Sequence, residues 1–71
     1  MRFEEIVLLG HVVMRVRLDG DAYRLSYGEQ VIYENGRRRI RGRWSAYEFR
    51  SVEQLRYDFE RDVEAVGGQL A

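Results

Sequence analysis

The stretch Glu34-Asn35-Gly36-Arg37-Arg38-Arg39-Ile40-Arg41-Gly42-Arg43-Trp44 places five arginines in the seven residues Arg37 to Arg43, directly before the only tryptophan. A guanidinium presents a planar fork of donors, so the chemistry on offer is bidentate recognition of phosphate or carboxylate. All twelve cations of the chain are arginines. A GC-rich genome that favours arginine codons is the plainer source of that bias. On this reading the arginines form a solvated sheet face whose long stems cover apolar surface.

Catalysis has little to stand on. His11 is the only histidine, beside Gly10, and there is no cysteine to act as nucleophile or zinc ligand. Ser26, Ser45 and Ser51 have no base at a recognisable spacing, and Asp19 and Asp21 read as turn residues. The glycines form no phosphate-binding loop. The chain is read as a non-enzyme with no cofactor, no metal and no small-molecule substrate.

The elements that would position the arginines follow from periodicity. Residues 3–9, continuously apolar from Ile6 to Leu9, precede Gly10 and suit a short edge strand. From Val12 to Leu18, Val12, Met14, Val16 and Leu18 alternate with Val13, Arg15 and Arg17. Asp19-Gly20 is a two-residue hairpin signal. Centring the turn there pairs Val16 with Tyr23, Met14 with Leu25, and Arg15 with Arg24. Asn35-Gly36 is the second such signal, pairing Glu34 with Arg37, Tyr33 with Arg38, Ile32 with Arg39 and Val31 with Ile40. Between the two signals, Tyr23, Leu25, Tyr27, Val31 and Tyr33 share a face if residues 23–33 form one long strand bent at Gly28. A tight turn at Gly28-Glu29 would instead bury Arg39 and Arg41, at a steep cost.

The last segment is helical. Ser51 with Gln54 makes a capping box, and Glu53 suits the positive first turn. Val52, Leu55, Phe59, Val63 and Val66 form one apolar stripe. Gly67-Gly68 should end the helix, leaving Gln69-Leu70-Ala71 as a frayed tail. The expected fold is α+β: a three-stranded antiparallel β-meander, with residues 3–9 as a candidate fourth strand, packed against one C-terminal helix over about 52–66. Residues 1–71 are expected to form one small domain. A chain this short buries only about 60% of its unfolded surface, so each core residue matters.

In that register Arg15, Arg17, Arg24, Arg39, Arg41 and Arg43 share the outward sheet face with Tyr47. Arg38 lies instead on the side of Ile40 and Trp44. Arg15 opposite Arg24 should repel, a cost that counter-ions, nearby carboxylates or an anionic ligand would offset. An antiparallel sheet presenting arginine and aromatic side chains, with the junction Trp44…Phe49-Arg50-Ser51 leading into a helix, resembles the sheet-reading DNA-binding domains of the plant ethylene-response type and some integrase N-terminal domains. That resemblance is one of architecture, and it implies a sheet that enters the major groove.

Charge balance weighs on the other side. Twelve arginines match twelve acids, whereas a dedicated nucleic-acid binder is usually basic overall. The charge is unevenly placed, however: residues 1–52 carry ten arginines against seven acids, and residues 53–71 carry five acids against two arginines. On the helix, Tyr57 should point outward among Glu53, Glu60 and Glu64, an arrangement suited to a protein interface. The expected function is a binding module that takes nucleic acid, or an acidic protein surface, on the arginine face. The alternative is an interaction or inhibitory accessory protein of the kind mobile elements and phages encode, acting through the sheet or the Tyr57 face. A homodimer is a further partner open to either. With no cysteine, no signal-peptide layout and no apolar run long enough to span a bilayer, the expected location is cytoplasmic, with no membrane partner.

Overall fold

The computed structural model describes residues 2–67. The expected tail, Gln69-Leu70-Ala71, and Gly68 lie outside the described residues. Six strands run in chain order across one antiparallel sheet: β1 (Arg2–Leu9), β2 (Val12–Asp19), β3 (Ala22–Tyr27), β4 (Val31–Glu34), β5 (Arg37–Ile40) and β6 (Arg43–Ala46). One helix, α1 (Val52–Ala65), follows and packs on one face. The α+β class and the antiparallel meander are as expected; the strand count is not. Residues 3–9 pair with β2 over their whole length, from Arg2 opposite Asp19 to Leu9 opposite Val12.

Two segments expected to be continuous are broken. Residues 23–33 divide into β3 and β4 around Gly28-Glu29-Gln30, with Tyr27 opposite Val31 and Leu25 opposite Tyr33. The three-residue connection leaves Leu25, Tyr27, Val31 and Tyr33 on one face, as a continuous strand would. The second break falls at Arg41-Gly42, which turns the chain between β5 and β6. Arg41 and Gly42 have φ of 50° and 85°, the paired positive values of a type I′ hairpin turn. Arginine, unlike asparagine, gives no warning of a positive φ, so Gly42 is the one mark of this turn in the sequence.

Register at the first hairpin also differs from expectation. The turn residues are Gly20-Asp21, so Arg17 faces Arg24 and Arg15 faces Ser26. Gly20, with φ of 60°, occupies the first central position rather than the second, which moves every pair by two residues and leaves the faces unchanged. The Asn35-Gly36 hairpin has the expected register throughout.

The core lies between the sheet and α1. Met14, Val16, Tyr23, Leu25, Tyr27, Val31 and Tyr33 from the sheet meet Leu55, Phe59 and Val63 from the helix. Ser51 caps α1 by accepting from the Gln54 amide at 3.1 Å. Val52, expected inward, is exposed at the first turn, while Val66 is half-buried at the other end. Between β6 and α1 the chain returns to the helix side. Tyr47 meets Tyr33 edge-on with centroids 4.8 Å apart, and Phe49 stacks on Tyr23 at 5.4 Å. No helix among the described residues is long and apolar enough to cross a membrane.

Candidate functional site

Among the described residues, no element covers the sheet face opposite α1. Alternation and register give it two complete cross-strand rows. The first reads Ile6, Arg15, Ser26, Ile32, Arg39, Trp44, and the second Glu4, Arg17, Arg24, Glu34, Arg37, Ala46. Ser26 and Ile32 are buried here although no described element lies over them. Their row neighbours Arg15 and Arg39 have long stems of the kind that shields apolar sheet surface.

The second row is an ion-pair ladder. The like charges facing each other are Arg17 and Arg24, and a carboxylate flanks each. Glu4 lies 3.9 Å from Arg17, and Glu34 lies 3.2 Å from Arg24. Glu34 also takes Arg37 at 3.2 Å, and Glu4 takes Arg2 at 2.6 Å. The row thus answers its own repulsion and requires no external anion. Exposed pairs of this kind each contribute little to stability. Their consequence is that Arg17, Arg24 and Arg37 are already occupied.

The remaining arginines differ. Among the described residues, Arg15, Arg39, Arg41 and Arg43 have no carboxylate within ion-pair distance. Arg39 sits beside Trp44, its guanidinium 6.0 Å from the ring centroid, and its Nε is enclosed without a hydrogen-bond partner. Arg37 lies closer over the same ring, at 4.4 Å. Trp44 itself is 46% exposed. The hairpin of β5 and β6, residues 37–46, holds five arginines and no acid.

Several expected site residues move. Arg15, Arg17, Arg24 and Arg39 share the open face, as expected. Arg41 is at the β5–β6 turn, and Arg43 stands opposite Ile40 on the helix side of the sheet. The two-residue turn at Arg41-Gly42 exchanges the faces of the residues that follow it. Trp44 consequently joins Arg39 on the open face rather than Ile40 and Arg38. Tyr47 leaves the arginine face altogether: its hydroxyl donates to Asp58 at 2.7 Å beneath the helix. The residues that sequence reasoning placed on the wrong side, Trp44 above all, could have been found from one signal, the glycine two residues beyond Ile40.

Arg38 has a structural task. It reaches Asp62 of α1 at 3.3 Å and donates to the Tyr33 hydroxyl at 3.1 Å. Tyr33 in turn donates to Asp62. Burial, followed by the hydrogen bond to Asp62, pushes the Tyr33 hydroxyl well above the ordinary tyrosine range. Burial and Asp58 do the same to Tyr47. The Tyr47 hydroxyl, then Gln54, hold Asp58 below the usual carboxylate value against the opposing effect of burial.

On the helix, Tyr57 is 60% exposed, with the Arg61 guanidinium 6.0 Å from its ring. Glu53 and Glu64 are exposed and Glu60 half-buried on the same element. No group of three metal-ligating side chains occurs among the described residues. In comparisons with known proteins, the chain matches no family model, no curated protein and no solved structure.

Proposed function

We propose that this protein is a non-catalytic binding module that takes nucleic acid on its β5–β6 hairpin. One observation carries the reading. Residues 37–46 hold five arginines and no carboxylate, and Arg39, Arg41 and Arg43 lack an acidic partner among the described residues. Neutral overall charge does not oppose local binding, because interactions beyond about 10 Å are screened at 0.1 M salt. A two-stranded ribbon fits the major groove, where arginine can chelate guanine or hold phosphates. Trp44, half-exposed beside Arg39, adds a flat surface one pair below the tip of the ribbon.

The expected site is therefore narrower than the whole arginine face: Arg17 and Arg24 are paired in the ladder, and three of the cations without an acidic partner, Arg39, Arg41 and Arg43, lie together on the hairpin. Fluorescence anisotropy with a short random duplex tests this across a salt titration. Binding should weaken with salt, and Arg39→Ala/Arg41→Ala/Arg43→Ala should reduce the log–log salt slope by about 3, near one unit per lost phosphate contact. Arg17→Ala should change it little. Absence of binding at low salt, or an unaltered slope in the triple variant, would overturn the reading. A second reading, docking of a protein on α1, is supported by the exposure of Tyr57 among Glu53, Glu60 and Glu64; Tyr57→Ala would abolish such a contact and leave duplex binding intact.

A further inference from the structure

The two edges of the sheet are unlike. β6 has four residues and stands in the arginine-rich hairpin, whereas β1 has eight and pairs with β2 without a bulge. Natural edge strands are usually blunted by proline, lysine, a bulge or a short span. β1 has no proline, lysine or bulge, and the charges it does carry, at Arg2, Glu4 and Glu5, all enter ion pairs within the chain. Its side chains Phe3, Ile6 and Leu8 are 45%, 64% and 68% exposed.

The direction of its backbone groups follows from one contact. The Gly28 amide donates to the Val13 carbonyl at 3.0 Å, so odd-numbered residues of β2 turn toward β3 and even-numbered ones toward β1. Met14 and Val16 oppose Val7 and Glu5, so the odd residues of β1 bond inward. Arg2, Glu4, Ile6 and Leu8 then aim their amides and carbonyls away from the sheet. These four form a ready ladder for one more strand.

We propose that the strand is β1 of a second copy, running antiparallel across a two-fold axis at Ile6. An isologous contact of this kind needs a strand that complements itself, and alternation limits the registers. Centring on Glu4 or Glu5 sets two carboxylates face to face, which is unfavourable. Centring on Val7 shortens the overlap to residues 5–9. Centring on Ile6 uses residues 3–9 and opposes no like charges. Ile6 meets its own symmetry mate, Phe3 meets the second copy's Leu9, and Glu4 meets the second copy's Leu8. The acids stay neutralised within their own chain: Glu4 by Arg2 at 2.6 Å and Glu5 by Arg56 at 3.8 Å. Two six-stranded sheets join into one, with both helices on the same side and a basic hairpin at each far edge.

The chain has no cysteine, so single-cysteine variants report the register cleanly. Hydrogen-bonded antiparallel residues have Cα atoms about 5.5 Å apart, inside the span a disulfide bridges. Ile6→Cys should therefore oxidise to a covalent dimer about tenfold faster than Glu5→Cys or Leu8→Cys. Light scattering without nucleic acid should find twice the 8.5 kDa chain mass. Ile6→Lys/Leu8→Lys should return it to the monomer mass with unchanged far-ultraviolet circular dichroism, since both side chains are exposed. A monomer at high micromolar concentration, or a dimer that survives the double lysine variant, would overturn the proposal. Equal cross-linking at Ile6 and Glu5 would overturn the register. None of these readouts depends on duplex binding, so the two proposals fail separately.

Discussion

The Tyr33 hydroxyl donates to the carboxylate of Asp62 and accepts from Arg38 at 3.1 Å, which joins β4, β5 and α1 through one oxygen. Tyr33 is fully buried and also meets Phe59 edge-on with centroids 5.8 Å apart. Removing the hydroxyl keeps the ring packing and leaves Asp62 and Arg38 short of a partner. Tyr33→Phe should cost about 1–3 kcal/mol, the range for stranding buried polar groups. Urea denaturation should show a lowered midpoint with an unchanged slope. A domain of this size has only about 4–10 kcal/mol of stability in total, so the loss is large.

The same contacts fix the alkaline limit of stability. Tyr33 and Tyr47 both have hydroxyls pushed upward, by burial first and then by Asp62 and Asp58. In the unfolded chain a tyrosine ionises near pH 10. Above that pH the unfolded state binds fewer protons than the folded state, so stability falls as pH rises. The contribution is complete below about pH 10, and each tyrosine should remove up to about 1.4 kcal/mol per pH unit above it. Denaturation midpoints from pH 9 to 11 should fall in the wild type, and less steeply in Tyr47→Phe.

Asp58 sets a weaker acidic limb of opposite sign. Its carboxylate is held low by the Tyr47 hydroxyl and by Gln54. Stability from this group is complete above the usual carboxylate value of about 4 and is lost as pH falls below it. Asp58→Asn should flatten thermal melts measured across that range.

Glu34 holds two arginines of the ladder, Arg24 and Arg37, each at 3.2 Å. Glu34→Gln should leave stability within about 1 kcal/mol, since the pairs are surface pairs. It frees two guanidiniums beside the β5–β6 hairpin. Duplex affinity at low salt should therefore increase, with a steeper salt slope; anisotropy titrations measure both.

Gly28 has φ of 57°, and an added Cβ would lie 2.9 Å from Val12 Cγ1. Gly28→Ala should destabilise by about 1–3 kcal/mol through conformational strain and the clash. Gly20, with φ of 60° and no atom within 4 Å of an added Cβ, faces only the strain. The same substitution there should cost less, as read by the two thermal midpoints.

Local chemistry was legible in the chain. Alternation from Val12 to Leu18 assigned Arg15 and Arg17 to the open face, Asn35-Gly36 set the β4–β5 register, and Ser51 with Gln54 marked the helix start. The break at Gly28 was not legible. A three-residue connection keeps Tyr27 and Val31 on one face just as an uninterrupted strand does, so periodicity cannot separate them. The break at Arg41 escaped because its positive φ is imposed by the hairpin, not preferred by arginine. Five arginines in seven residues were written in the sequence. The Asn35-Gly36 turn already set Glu34 against Arg37, but the partner of Arg38 was decided by tertiary structure, because Asp62 approaches it only once the helix docks.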